Sequence, residues 1–314
     1  MNKYLQKLKS GNLIETFIDY ALGAVKYSDD TTVMDRYRFI ISHKRKLQYY
    51  KKIKKTVLPK ALERVKQLNL QQEPGEKVVW FCWFQGMENA PEVVKRCYES
   101  QQKYFCGDSE WKIAVVTEDN YLEYVHLPEH IVSKFKKGVI TKTHLSDILR
   151  TALLCEYGGL WVDSTVLCTG DSLWKYVKDM DLFLLSNWRY HNTNIILSES
   201  FFIRSKMSHP ILVLLREILY EYWKQYDYLM HYFTWHICFT IAAEVYPSEV
   251  NKMPQINKVL ADQINFILFE EYNETKWKIE RMQSDIHKLS WKYPEELVTQ
   301  KGTLYEYLIR QGRE

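Results

Sequence analysis

The chain of 314 residues is 46% hydrophobic and carries 43 basic against 39 acidic side chains, a formal net charge of +4. That is enough apolar sequence to bury a sizeable core, which excludes a disordered chain and suits one catalytic domain with an appendage, or two small domains. No apolar run approaches the roughly 20 residues of a membrane-spanning helix, MNKYLQKLKSGN lacks a signal-peptide segment, and six cysteines without CxxC spacing argue against a zinc site or disulfide framework; the expectation is a reduced, cytoplasmic protein.

Residues 1–72 have a character of their own. Leu5, Leu8, Leu13, Phe17, Ile18 and Leu22, and further on Phe39, Ile40, Leu47, Tyr50, Ile53, Val57, Leu62 and Val65, recur at spacings that predict helices. Between Arg36 and Lys66 twelve basic residues meet one acid, Glu63, a local charge of +11 that leaves −7 for the rest of the chain. A basic helical arm on a mildly acidic body implies an anionic membrane surface, nucleic acid, or only a solvated helix face. Tyr37, Phe39, Tyr49 and Tyr50 among the charges suit an interfacial helix, and each basic residue near an anionic leaflet contributes about 1 kcal/mol. The membrane surface is the reading adopted, with no nucleic acid partner.

Gln71 to Glu76 contains Pro74-Gly75 and marks the boundary to a second unit over residues 73–314. KVVWFCWF, Lys77 to Phe84, reads as the first buried strand, ended by Gln85-Gly86; no GxGxxG or GxxxxGK[ST] follows it, so neither a dinucleotide fingerprint nor a P-loop is supported. Pro91 to Tyr104 predicts a helix and Trp111 to Thr117 a second strand. Ligands of open α/β sheets gather outside the carboxyl ends of strands, which makes Thr117, Asp119 and Asn120 candidates for contacting a nucleoside, although Asp119 also suits an N-cap. A helix follows from Leu127 to Lys137.

The centre of the chain is THLSDILRTALLCEYGGLWVDSTVLCTG, Thr143 to Gly170. Leu145, Ile148, Leu149, Ala152 and Leu153 predict an amphipathic helix from about Leu145 to Tyr157, with Ser146 or Thr143 as N-cap. Gly158-Gly159 stops it, and Leu160-Trp161-Val162 is a short buried strand with Asp163 at its exit. Strand alternation places Asp163 and Thr165 on the face of Trp161, while Asp147 and Arg150, three apart, share a helix face. Two acids, one guanidinium and one hydroxyl thus gather at a helix-Gly-Gly-strand corner.

SDxxRxxxLxxxGGxxxD resembles the family-32 glycosyltransferases, which include capsular polysaccharide synthesis enzymes, with Thr165 standing where their DxD signature has its second acid. The resemblance implies a GT-A-like fold, an α/β, Rossmann-like mixed sheet flanked by helices, behind an N-terminal helical region. It implies Mn2+ or Mg2+ at Asp163 and Thr165, since a hard divalent cation on carboxylate oxygen neutralises a departing diphosphate. Asp147, Arg150 and Asp163 are the catalytic candidates.

Other segments extend the likeness. Trp83, Gln85 and Gly86 match the family's opening motif, where an aromatic ring lies beside the nucleotide base. Past strands at Asp181 to Asn187 and within Ile195 to Ile203, FFIRSKMSHPIL matches the segment that lines the donor sugar, at Ser200, His209 and Pro210, with Pro210 starting a helix to about Met230. The aromatic run LYEYWKQYDYLMHYFTWHICF suits a core or sugar stacking, and His231 and His236 lack the HExxH pattern of a zinc helix. Ile286 to Lys292 is similar to the closing His…Ser-x-Trp motif, which implies that His287 or Ser290 supplies the missing metal ligand, that Trp291 lies at the nucleotide, and that Lys288 or Lys292 offsets phosphate charge.

The implied activity is retaining transfer of galactose or glucose from a UDP-hexose to a lipid-linked saccharide acceptor at the inner face of the cell membrane. Two other classes compete. Asp163-Ser164-Thr165-Val166 partly imitates the strand-end nucleophile of haloacid-dehalogenase phosphatases, without their second acid, and a non-catalytic adaptor could bind sugar or membrane.

Overall fold

The computed structural model describes residues 31–68 (backbone alone over 31–41), 71–107, 110–187 and 195–313. The helix-period residues Leu5 to Leu22, and the side chains of Tyr37, Phe39 and Ile40, lie outside the described residues.

The described residues open with α1 (Thr31–Thr56) and α2 (Leu58–Gln67), then enter β1 (Val78–Cys82), buried along its whole length. Next come α3 (Glu92–Gln101), β2 (Lys112–Val116), α4 (Glu129–Lys136), α5 (Lys142–Glu156), β3 (Gly159–Val162) and β4 (Val166–Cys168). The second half contributes β5 (Leu182–Ser186), β6 (Ser198–Ser205), α6 (Pro210–Gln225), α7 (Thr234–Val245), α8 (Glu274–Gln283) and β7 (Ile286–Lys288). β1 pairs in parallel with β2 and β3, and β6 runs antiparallel between β3 and β5, giving the order β2-β1-β3-β6-β5. This is the expected mixed α/β sheet, mostly parallel and flanked by helices. Strands buried on both faces read as continuous apolar runs, which is why VVWFC and LFLLS stand out in the sequence.

The helix-Gly-Gly-strand corner forms as expected, with two local differences. Thr141, in extended backbone, caps α5 by accepting from the His144 amide at 3.4 Å, so the helix starts before either predicted cap, Thr143 or Ser146. Gly158 and Gly159 have φ of +68° and +94°, and a Cβ on Gly159 would meet the Val78 carbonyl oxygen at 2.5 Å. Only glycine lets β3 come this close to β1. β3 ends at Val162, and the Val166 amide donates to the Asp163 carbonyl at 3.0 Å. A turn therefore replaces the strand alternation expected beyond Asp163, and β4 leaves the main sheet to pair antiparallel with β7.

The helices before Pro74-Gly75 and the sheet after it share one core: Ile53, Val57 and Ala61 are fully buried in the same cluster as Trp80 and Trp161. Acids of α6 and α7 answer several of the basic residues, Arg64 lying 3.6 Å from Glu217, Lys60 3.6 Å from Glu221, and Lys54 2.7 Å from Glu244. α6 starts at Pro210 as expected but ends at Gln225, before Met230. Tyr222, Trp223, Trp235 and Phe239 of the aromatic run are core residues, whereas Tyr232 stays 64% exposed.

Candidate functional site

Outside the carboxyl ends of β1 and β3 lies a cavity of about 400 Å³. Four segments wall it, with Tyr232 from the chain before α7 beside them: the residues after β1, the first turns of α5, the Asp163-Ser164-Thr165 turn, and the chain leaving β7. Each wall follows from the topology. Parallel neighbours β1 and β3 end on the same side, α5 delivers Arg150 there two turns after its cap, and β7 arrives because Val166 pairs with Lys288.

At its floor Asp163 accepts a hydrogen bond from Trp161 Nε1 at 2.9 Å through Oδ1, which is also 3.4 Å from Arg150 Nη2. Its Oδ2 accepts from Lys288 Nζ at 2.8 Å, and the same ammonium donates to Thr165 Oγ1 at 2.8 Å. Burial alone would push the Asp163 carboxyl up; the Lys288 and Arg150 charges, with the hydrogen bonds from Lys288 and Trp161, outweigh it and hold it down at about 2. Gln101 fixes the turn from beneath, donating through Nε2 to the carbonyls of Asp163 at 3.1 Å and Val166 at 2.9 Å.

Arg150 is held as firmly. Nη1 donates to the Ser200 carbonyl at 2.7 Å, Nη2 is 3.2 Å from Asp147 Oδ1, and the guanidinium lies 5.0 Å from the Trp161 ring centre. Asp147 does not line the cavity; it stands behind Arg150, with its other oxygen 3.3 Å from His144 Nδ1. Asp147 thus acts on Arg150 rather than on a ligand. Two buried donors at this cleft, Trp83 Nε1 and Arg150 Nε, have no hydrogen-bond partner among the described residues.

Of the residues named from the sequence, Trp83, Gln85, Arg150, Asp163, Thr165, Lys288, Ser290 and Trp291 line the cavity, and Trp83 and Trp291 meet edge to face at 5.6 Å. Gly86, Thr117, Asp119 and Asn120 do not. Asn120 instead builds its own turn, accepting from the Thr117 amide at 2.7 Å and donating to the Val115 carbonyl at 3.0 Å, and it rather than the exposed Asp119 stands at the N-cap of the short helical turn Tyr121–Tyr124. Ser200 contributes its carbonyl to Arg150, and His209 is buried 3.6 Å from Glu249, away from the cavity.

His287 requires a correction. It is fully buried, its Nε2 is 3.0 Å from Thr169 Oγ1, and burial with Arg281 nearby pushes its pKa down to about 3. Neighbouring residues on β7 point to opposite faces, so with Lys288 in the cavity His287 turns inward and cannot be a metal ligand there. Mg2+ and Mn2+ take about six ligands, mostly oxygen, in near-octahedral geometry. This floor offers one carboxylate, with donors on both its oxygens, and the Thr165 hydroxyl, with an ammonium between them. Among the described residues no group of three or more His, Cys, Asp or Glu could hold a metal ion. The donor set does not fit the divalent cation that the DxD likeness implies.

Sequence reasoning did not single out Lys142 and Tyr232, which also line the cavity. Lys142 had a local signal: a cation in the first turn of a helix opposes the helix dipole and is tolerated where an anion comes close. It pairs with Glu118 at 2.5 Å. Among the described lining residues Lys142, Arg150, Lys288 and Lys292 face a single acid, Asp163.

Fold and cleft together define an α/β protein whose strand-end cavity is electropositive and edged by indole rings, a setting for an anionic ligand with a planar part. The chain belongs to the capsular polysaccharide synthesis protein family, whose model matches residues 31–308. It is 30% identical over 111 residues, 32% of its length, to O-glycosyltransferase PaGT of Phomopsis amygdali. It is 25% identical over 114 residues, 34% of its length, to O-glycosyltransferase braB of Annulohypoxylon truncatum. The chain spans about a quarter of those proteins, 27% and 25%. A superposition on the PaToxG glycosyltransferase covers 68% of this chain and 84% of the other, with a TM-score of 0.36 and 14% identity. Among the described residues no helix is long and apolar enough to cross a membrane.

Proposed function

We propose that this chain is a retaining glycosyltransferase of GT-A type that moves a hexose, galactose or glucose, from a UDP-sugar to a lipid-linked saccharide in capsule or surface-polysaccharide assembly. The observation that carries the reading is the cleft itself, four cationic side chains around one ion-paired carboxylate with Trp83 and Trp291 beside them. A sugar nucleotide needs charge for its diphosphate and a flat surface for its base, and both are present. Membership of a capsular polysaccharide synthesis family and the two O-glycosyltransferase relatives support the same class.

Arg150 and Lys288 hold the diphosphate and stabilise the charge that grows on it as the bond from the anomeric carbon to phosphate oxygen breaks. The acceptor hydroxyl attacks from the same face, its new bond to the anomeric carbon forms, and its proton passes to the departing phosphate oxygen. Asp163 is the single acid among the described lining residues, and it is locked to Arg150 and Lys288. An ion-paired carboxylate held near a pKa of 2 is a poor nucleophile, which favours front-face attack over double displacement. The exposed Lys44, Lys51, Lys55 and Lys66 of α1 and α2 would keep the protein on an anionic inner leaflet.

The test is release of UDP from a panel of UDP-sugars by the wild type and Asp163→Ala. Release from one hexose donor, lost in the variant, supports the transferase. No release with or without acceptor, and none changed by the variant, favours the adaptor.

A further inference from the structure

We infer that the Lys288 ammonium takes the place of a divalent cation in the Asp163-Ser164-Thr165 turn, so that this chain binds and neutralises its donor's diphosphate without metal. The inference rests on the transferase reading above and deepens it.

Three observations carry it. Lys288 Nζ lies 2.8 Å from both Asp163 Oδ2 and Thr165 Oγ1, the two side chains that occupy the acid positions of a DxD turn. The other Asp163 oxygen is taken by Trp161 and Arg150, so a cation entering here would meet two resident positive charges and no free carboxylate. Finally, the lysine is built in rather than draped over the site. Val166 and Lys288 are direct partners in the β4–β7 ladder, the Leu289 amide donates to the Thr165 carbonyl at 2.8 Å, and Asn265 donates to the Lys288 carbonyl at 2.9 Å.

The charge and donor count agree. An ammonium has three N–H donors; Asp163 and Thr165 accept two, and the third remains for a phosphate oxygen in the cavity that Lys288 lines. Thr165 in place of a second acid then follows: two acids would suit a dication, whereas one acid and one hydroxyl match a monocation.

Calorimetric titration of the full chain with UDP, in EDTA and in excess Mn2+ or Mg2+, tests this, with GDP, CDP and ADP as alternative bases. The expected result is a Kd in EDTA within about threefold of that in Mn2+, raised at least about tenfold in Lys288→Ala and largely kept in Lys288→Arg. Thermal unfolding of each variant separates lost binding from lost fold. If Lys288→Ala does not fold, the wild type in EDTA and Lys288→Arg decide. Binding to the wild type only with Mn2+ or Mg2+ overturns the lysine and leaves the transferase standing, as does a folded Lys288→Ala that binds like the wild type in EDTA. Absence of binding to every nucleoside diphosphate, with and without metal, overturns the donor reading and this inference with it.

Discussion

Asp163 keeps its charge because Trp161, Arg150 and Lys288 all donate to it or stand beside it, and each of them needs it in return. Asp163→Asn should therefore lower stability by about 2 kcal/mol, the usual loss when charge-assisted bonds go and two cations lose their counter-charge, and should also abolish donor turnover. Urea unfolding of variant and wild type reads the first effect. Its pH dependence has a definite sign. The folded carboxyl sits at about 2, below its ordinary 3.8, so its stabilisation is full above pH 4 and is lost as pH falls through 2. The gap between wild type and Asp163→Asn should narrow below pH 4; a gap that widens there would contradict the assignment.

Among the elements, the Gly158-Gly159 corner is the least tolerant. Gly159 combines φ of +94° with an approach of 2.5 Å between a would-be Cβ and the Val78 carbonyl, so Gly159→Ala should destabilise by about 3 kcal/mol or more and melt well below the wild type. A melting curve unchanged by the substitution would show that β3 can back away from β1. This corner was legible because its signals are local: an apolar 3.6 period, two glycines, an apolar run. The β4–β7 ladder was not, because two strands of three residues each, Val166–Cys168 and Ile286–Lys288, meet across more than a hundred residues of chain with nothing local to set their register. A slip of one residue exchanges His287 and Lys288 between core and cavity, so the sequence could name both as candidates without choosing between them. Asn120 was named for its strand-end position, and its side chain is spent on the turn instead, holding the Thr117 amide and the Val115 carbonyl.

Across the whole molecule, acid should be harmful. His287 is held down at about 3 and His209 and His231 at about 4, in each case chiefly by burial, against an ordinary 6.5. A histidine with a depressed folded pKa is neutral in the native state and takes up its proton on unfolding, so its contribution is full above pH 6.5 and is lost as pH falls toward 4. Glu156 and Glu280, raised by burial, offset part of this. Stability should still fall by at least about 1.4 kcal/mol per pH unit between pH 6 and 4.5, measured by urea unfolding, and a flat profile would contradict the buried neutral histidines. At this scale the charge excess of α1 and α2 was legible from composition alone, but its division was not. Lys54, Lys60 and Arg64, though exposed, are answered by Glu244, Glu221 and Glu217, partners more than 150 residues away in the chain, whereas the exposed Lys44, Lys51, Lys55 and Lys66 face solvent. Changing those four to Gln should weaken binding to phosphatidylserine vesicles at least about a hundredfold, and unchanged sedimentation with vesicles would send the membrane elsewhere.

The most direct measurement is a crystal structure of the protein with UDP, grown in EDTA. The expected result is the diphosphate within hydrogen-bonding distance of Lys288 Nζ and Arg150, and the base against Trp83 or Trp291, with Asp163 still paired to both cations. UDP bound outside this cleft, or seated in it with Lys288 displaced from Asp163, would contradict it.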